Sequence, residues 1–211
     1  MGKIKQGVLG GFSGKVGPVT GTSWKGKAVI KARALSYNNP NTEEQQKIRR
    51  RFALIGKFIA VNNNYISIGF ADMAVGITAQ NAAMSVNFEN GVGGTWPNYE
   101  LAYNNIIVST GKVDLPYNPS ASVDSNTLSL SWSDNSGEGN AKSTDEVMVL
   151  VYNSTKGQSV YSINVATRSE RTASVSIPTA WNGDSVEVYL SMHRPDGGET
   201  SKSFYLGNFT I

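Results

Sequence analysis

Apolar and polar positions alternate along the C-terminal half of the chain. Residues 128–132 place apolar side chains at every second position, and 147–152 is apolar on both faces, with Val147, Val149 and Val151 opposite Met148, Leu150 and Tyr152. Weaker runs of the same kind follow toward the C-terminus, at 160–165, 175–177, 186–192 and 204–211. A period of two is typical of β-strands, and clusters of turn residues separate the runs. Six or seven short strands in about 95 residues predict an antiparallel β-sandwich, with Trp132 in its core.

A helical period stands out in one earlier segment. Thr42 and Gln45 have the spacing of a capping box, and the acids between them suit the first turn of a helix. Apolar residues then recur at helical intervals, at Ile48, Phe52, Ile55 and Ile59. The pattern predicts a helix that begins at Thr42 and ends near Asn62.

The segment between this helix and the predicted sandwich has a less regular pattern. Thr78 is a candidate N-cap for a second, shorter helix, and Gly91 is one of three glycines that would close it. Ile106, Ile107 and Val108 form an apolar run, which we expect to be a buried strand.

The N-terminal segment combines many glycines with apolar residues. Residues 1–35 hold eight glycines, yet they also hold Phe12 and Trp24, which a flexible linker would lack. Residues 28–34 alternate with period two, and Lys25-Gly26 is a plausible hairpin turn. We expect two or three short strands here, with glycines at bulges or close backbone contacts.

These patterns together predict a mainly β (α+β) fold with two parts. The first, residues 1–115, is a glycine-rich N-terminal hairpin arm with one or two helices. The second, residues 116–211, is the antiparallel β-sandwich, and Pro116 and Pro119 mark the boundary.

The composition argues against an enzyme. The 211-residue chain has no Cys and a single His, His193, which excludes disulfides, thiolate metal sites and any site that needs two imidazoles. Gly10–Val16 lacks the first glycine and the Ser/Thr of a phosphate-binding loop, and residues 134–140 fit an inter-strand turn better than a Ca²⁺ loop. We therefore expect no catalytic residues, no cofactor and no metal site.

Three carboxylates in the predicted sandwich gave no sign of a catalytic pair. Asp145, Asp184 and Glu187 are scattered across segments whose side chains should alternate outward. The sequence therefore supports no catalytic carboxylate pair among them.

Charge is distributed unevenly along the chain. Residues 1–57 hold twelve basic residues and two acids, a net charge of +10, whereas residues 58–211 have a net charge of −7. A basic end can bind an anionic polymer or the acidic end of a second copy, and it can also be merely solvated. No nucleic-acid-binding signature accompanies the basic residues, so nucleic acid is an unlikely partner.

Two features bear on location. No apolar run approaches the length of a membrane span, and no apolar h-region of a signal peptide is recognisable near the N-terminus. The expected location is the cytoplasm, or a virion or other extracellular assembly.

The chain resembles an uncharacterised family of Bacteroidota proteins. The motifs that carry the resemblance are a Gly-Lys-Val-Gly hairpin at 14–17, a Trp-Lys-Gly turn at 24–26 and the segment NNPNTEEQQKIRRRF at 38–52. The resemblance extends over nearly the whole chain but implies no activity. The Asn-Pro-x-Thr-x-x-Gln segment is also similar to small phage and prophage structural proteins, which implies a virion, tail or other self-assembling role. The C-terminal part, which lacks a Cys pair around Trp132, is similar to fibronectin type III modules.

Two functions from different classes are compatible with these observations. The first is a non-enzymatic structural protein that assembles into a homo-oligomer or filament, its basic arm docking on the acidic sandwich of a neighbour. The alternative is a monomeric binding or adhesion module that recognises a glycan or protein through sandwich loops such as 134–142. The apolar candidates for the assembly interface are Phe12, Trp24, Val29 and Ile30, and the charged candidates are Arg49, Arg50 and Arg51.

Overall fold

The chain forms two compact units, Met1–Thr42 and Glu43–Ile211. The computed structural model describes residues 2–4, 10–24, 26–34, 36 and 39–211. Each unit has its own architecture, and no helix among the described residues has the length and apolar character needed to cross a membrane.

The first unit is an antiparallel sheet with its strands in chain order. Its strands are β1 (Lys3–Ile4), β2 (Phe12–Val16), β3 (Val19–Trp24) and β4 (Lys27–Ala32). Trp24 pairs with Lys27 across the β3–β4 turn, and Gly26 occupies that turn with φ of +78°, a conformation that favours glycine. The arm therefore forms strands as predicted, with four strands in place of the two or three expected; Gly26 of the predicted turn lies between β3 and β4, and Lys25 lies outside the described residues.

The second unit begins with helices. They are α1 (Glu43–Val61), α2 (Asn63–Gly69) and α3 (Ala79–Asn87), followed by a hairpin of β5 (Val92–Thr95) and β6 (Asn98–Leu101). α1 begins one residue after Thr42, as the capping pattern predicts. Thr78 caps α3, because its Oγ1 accepts a hydrogen bond from the backbone N–H of Asn81 at 3.2 Å.

The rest of the second unit is the predicted sandwich. Its strands are β7 (Tyr117–Asp124), β8 (Thr127–Ser133), β9 (Glu146–Asn153), β10 (Gln158–Ser162), β11 (Thr172–Ser176), β12 (Ser185–His193) and β13 (Phe204–Thr210). One sheet has the order β11-β8-β7 and the other the order β10-β9-β12-β13, with every pair antiparallel. The predicted fold class is therefore confirmed.

The sandwich core lies between these two sheets. Leu128, Leu130 and Trp132 of β8 face Val149 and other residues of β9 and β12 in one apolar cluster. Trp132 is 5% exposed, as predicted.

The helices cover the outer face of the four-stranded sheet. Phe58 of α1 and Tyr65 of α2 pack against Met148, Leu150 and Tyr189 of that sheet. β9 is consequently buried on both faces. This packing is why residues 43–115 belong to the same compact unit as the sandwich, whereas the sequence placed a boundary at residue 116.

The apolar run at 106–108 is buried but is not a strand, contrary to our expectation. Ile106 and Val108 are buried and Ile107 half-buried. The side chain of Asn87 takes the place of a strand partner: its Nδ2 donates to the carbonyl of Ile107, and its Oδ1 accepts from the backbone N–H of Ile107, both at 2.8 Å. Backbone groups that a ladder would satisfy are satisfied here by a side chain.

Candidate assembly interface

Most described residues of the first unit are exposed or only half-buried. Among the described residues of 2–42, Gly21 is the only buried one. Trp24 and Ile30 are 64% and 65% exposed, and Val29 lies at the lower limit of exposure with 36%. Three of the four apolar residues proposed for an interface are thus exposed.

Phe12, the fourth apolar candidate, is half-buried and packs within its own sheet. A Cβ added to Gly21 would lie 2.2 Å from the carbonyl oxygen of Phe12 and 2.5 Å from its ring. Gly21 is therefore required so that β2 and the Phe12 ring can approach β3.

β4 is an edge strand of this sheet, and all six of its residues are exposed. An edge strand presents unpaired backbone N–H and C=O groups that can pair with another chain. Lys27 and Lys31 add positive charge to this edge.

The three arginines proposed as charged partners differ in their surroundings. Arg51 is half-buried, donates to the carbonyls of Phe88 (2.7 Å) and Glu89 (3.2 Å), and lies 4.8 Å from the centre of the Phe88 ring. Arg49 and Arg50 are exposed on α1. Arg51 therefore joins α1 to the end of α3 and is not free for contact with a neighbour, whereas Arg50 is an exposed candidate for such a contact.

Exposed carboxylates lie around the sandwich. They are Asp114, Asp124, Glu138, Glu170 and Asp196. None of them forms an ion pair with another described residue. These carboxylates have the charge opposite to that of the arm, and they are interspersed with the exposed basic residues Lys142, Arg171 and Lys202.

The three carboxylates expected to face outward are buried instead, which corrects our expectation. Asp145 pairs with Arg168 at 2.9 Å and Asp184 with Lys156 at 2.8 Å. Glu187 accepts hydrogen bonds from the hydroxyl of Tyr205 (2.6 Å) and from Asn208 Nδ2 (2.7 Å). Each carboxylate has a polar partner close by, which offsets the cost of burying its charge.

Arg168 is the centre of a polar network that the sequence did not reveal. Its side chain is fully buried and donates to Asn135 Oδ1 (2.6 Å), to the Asp114 carbonyl (2.7 Å) and to the Lys142 carbonyl (3.1 Å) as well as to Asp145. These bonds tie together three loops at one end of the sandwich. Nothing in the sequence around Arg168 distinguishes it from an exposed arginine.

In loop 134–142, the candidate recognition loop, several polar groups form hydrogen bonds with neighbouring segments of the second unit. Asn135 donates to the Leu115 carbonyl at 3.0 Å. The backbone N–H of Asn140 donates to Asp114 at 2.6 Å, and its side chain accepts from Arg194. His193, at the end of β12, is likewise held by the Ile163 carbonyl and by Glu146 at 3.1 Å.

These features define the class of protein: a β-sandwich with a helical layer on one sheet, preceded in sequence by a basic, glycine-rich antiparallel sheet. Sandwiches of this kind serve many proteins as binding and structural modules. The chain belongs to the Family of unknown function (DUF6266), whose model matches residues 11–207.

Two solved structures are similar to about half of the chain. One contains the FN1–FN3 domains of chicken CNTN1, with 13% identity over 48% of this chain and a TM-score of 0.31; the match spans 33% of that chain. The other is the fn3 domain of the human collagen alpha-1(XX) chain, with 19% identity over 49% of this chain and 87% of that chain, and the same TM-score of 0.31. A comparison with curated proteins gives no match.

Proposed function

We propose that this protein is a non-enzymatic structural protein that assembles with copies of itself through its N-terminal sheet. The observation that carries the proposal is the exposure of Trp24 and Ile30 on a sheet whose described residues bury only Gly21. A small sheet whose described residues bury so little apolar surface has too little apolar contact to be stable by itself. Burial against a second copy would supply that contact.

The edge strand β4 supports a specific mode of contact. Its six residues are exposed, and an extended edge can add to the edge of another sheet through main-chain hydrogen bonds. The sandwich offers edge strands of its own, among them β11 and β10. Addition of β4 to such an edge is a head-to-tail contact, which produces rings or filaments.

Charge supports the choice of partner surface. The described residues of the arm carry only positive charge, whereas the sandwich carries five exposed carboxylates without an ion pair among the described residues. Opposite potentials steer association, and salt weakens them. The resemblance to phage and prophage structural proteins suggests a virion or tail as the setting of this assembly.

The alternative, a monomeric module that binds through loop 134–142, has weaker support. Asn135 and Asn140 of that loop are engaged within the unit, so fewer of its polar groups are available to a ligand.

The test is the mass of the full chain in solution, measured by light scattering after size exclusion at increasing protein concentration. We expect wild type to form species larger than a monomer, and the double variant Trp24→Ser/Ile30→Ser to stay monomeric. Val75→Ser is the matched control, since Val75 is 86% exposed in the second unit and is expected to leave assembly unchanged. A wild-type monomer at every concentration, at low salt, would refute the proposal.

A further inference from the structure

A cleft with aromatic walls lies between the helical layer and the sandwich. It has a volume of about 330 Å³ and is lined by Lys57 of α1, Tyr99 and Glu100 of β6, Tyr103, and Tyr152 of β9. The volume lies at the lower end of the range found for small-ligand pockets. All of these residues belong to the second unit, so the cleft is complete without the N-terminal sheet.

The Tyr152 hydroxyl opens onto this cleft and, like the hydroxyls of Tyr99 and Tyr103, has no partner among the described residues. Tyr152 is 4% exposed, and its ring lies 4.9 Å from that of Phe58 and 5.8 Å from that of Tyr103. No described residue forms a hydrogen bond with its hydroxyl, whereas the hydroxyls of Tyr65, Tyr189 and Tyr205 all have partners. The Tyr152 side chain is buried, but its hydroxyl oxygen is open to the cleft, where a ligand can bind it in place of water.

Gly157 keeps this hydroxyl accessible. A Cβ at Gly157 would lie 3.7 Å from the Tyr152 hydroxyl oxygen, and Gly157 also lines the cleft. Its φ of +65° favours glycine at this turn. The turn therefore leaves the space above the hydroxyl open.

The charges in the cleft balance. Lys156 pairs with Asp184 at 2.8 Å and is already neutralised. Lys57 and Glu100 form no ion pair with a described residue, and they contribute one positive and one negative charge. This balance disfavours a phosphate or another strongly charged ligand and suits a neutral ligand that both donates and accepts hydrogen bonds.

We propose that this cleft binds a single neutral sugar ring, as a free saccharide or as one unit of a glycan. A sugar ring has apolar C–H faces for the rings of Tyr99 and Tyr103, and hydroxyls for Tyr152, Lys57 and Glu100. The tyrosine hydroxyls can both donate and accept hydrogen bonds, and burial raises the pKa of Tyr152 and raises the pKa of Tyr103 to about 12. Both therefore stay protonated at neutral pH.

The test is a titration of the full chain, labelled with ¹⁵N and ¹³C at tyrosine, with D-glucose, D-galactose, D-mannose and N-acetyl-D-glucosamine, each to about 50 mM, a range that detects even millimolar affinity. We expect at least one sugar to shift the signals of Tyr99, Tyr103 and Tyr152. Tyr152→Phe removes only the hydroxyl and should weaken binding about tenfold, which corresponds to one hydrogen bond. Tyr161→Phe is the matched control, since Tyr161 is an exposed tyrosine that does not line the cleft.

Three outcomes would overturn the proposal. They are the absence of shifts with all four sugars, equal affinity of wild type and Tyr152→Phe, and shifts of the cleft signals on concentrating the protein without sugar. The last would identify the cleft as a contact between copies. Glu100→Gln, at an exposed position on the rim, provides a second test if Tyr152→Phe lowers the melting temperature.

Discussion

Arg168 connects loops that are distant from one another along the chain. Its guanidinium bridges segments that are 23 to 54 positions away along the chain. Removing one partner of a buried ion pair leaves the other charged and buried, which costs about 3–5 kcal/mol. We expect Arg168→Met to lower the free energy of unfolding by about this amount in urea denaturation.

The matched control for this variant is Arg50→Met. Arg50 is exposed on α1, and exposed substitutions usually change stability by less than about 0.5 kcal/mol. Equal stability of Arg168→Met and Arg50→Met would show that the network contributes nothing.

Asp184 predicts a dependence of stability on pH. Hydrogen bonds from Lys156 and Asn153 hold the pKa of its carboxyl below the usual 3.8. A depressed pKa in the folded state contributes stability above the unfolded value, and this contribution is lost as the pH falls through the folded value. We expect Asp184→Asn to be less stable than wild type at neutral pH, with the difference shrinking below about pH 4.

Melting temperatures of both proteins between neutral and acidic pH provide the measurement. Asp72→Asn, at an exposed carboxylate of the second unit, is the control and should show a small difference from wild type at every pH. A constant difference for Asp184→Asn across the range would contradict the assignment.

At the scale of single residues, the sequence predicts burial only for residues that belong to a regular apolar pattern. Trp132 stands in an alternating run, and its burial was predictable. Asp145, Asp184 and Glu187 are buried next to polar partners. Those partners lie 23, 28 and 18–21 positions away along the chain. A local pattern carries no information about partners at such separations.

At the scale of elements, the strands and helices follow from the pattern where it is regular. α1, α3 and the sandwich strands were predictable from period and caps. The run at 106–108 was not, because its hydrophobicity reflects burial, while its backbone partner is the side chain of Asn87. The apolar residues on both faces of β9 similarly make sense only once the helical layer is in place.

Gly21 gives a prediction at this scale. A side chain at Gly21 would meet the Phe12 carbonyl at 2.2 Å, which is too close for any rotamer to relieve. We expect Gly21→Val to disrupt the pairing of β2 with β3 and to abolish self-assembly. The sandwich should be retained, with an unchanged cooperative unfolding transition.

The matched control is Ser23→Val in the same strand, where the residue is exposed. Circular dichroism and light scattering on both variants make the comparison. Assembly by Gly21→Val at the wild-type level would exclude an intact N-terminal sheet as the docking element.

At the scale of the whole molecule, the two units have net charges of opposite sign, and they differ in how many of their described apolar residues are buried. The second unit has a continuous apolar core, whereas the described part of the first has none. The sequence shows the charge asymmetry and the apolar residues of the arm, but not whether those residues are exposed. It could not predict which molecule covers them, because contacts within one copy and contacts between copies require the same residue types.

Cross-linking with isotope labels decides this point most directly. Full-length chains labelled with ¹⁴N and ¹⁵N are mixed, allowed to equilibrate and treated with a carbodiimide, which joins lysines to carboxylates in direct contact. The account predicts mixed-isotope cross-links between arm lysines such as Lys27 and Lys31 and sandwich carboxylates such as Asp124 and Glu170, and fewer of them at high salt. Cross-links of the arm found only within one isotope, on a protein of monomeric mass, would contradict self-assembly through the N-terminal sheet.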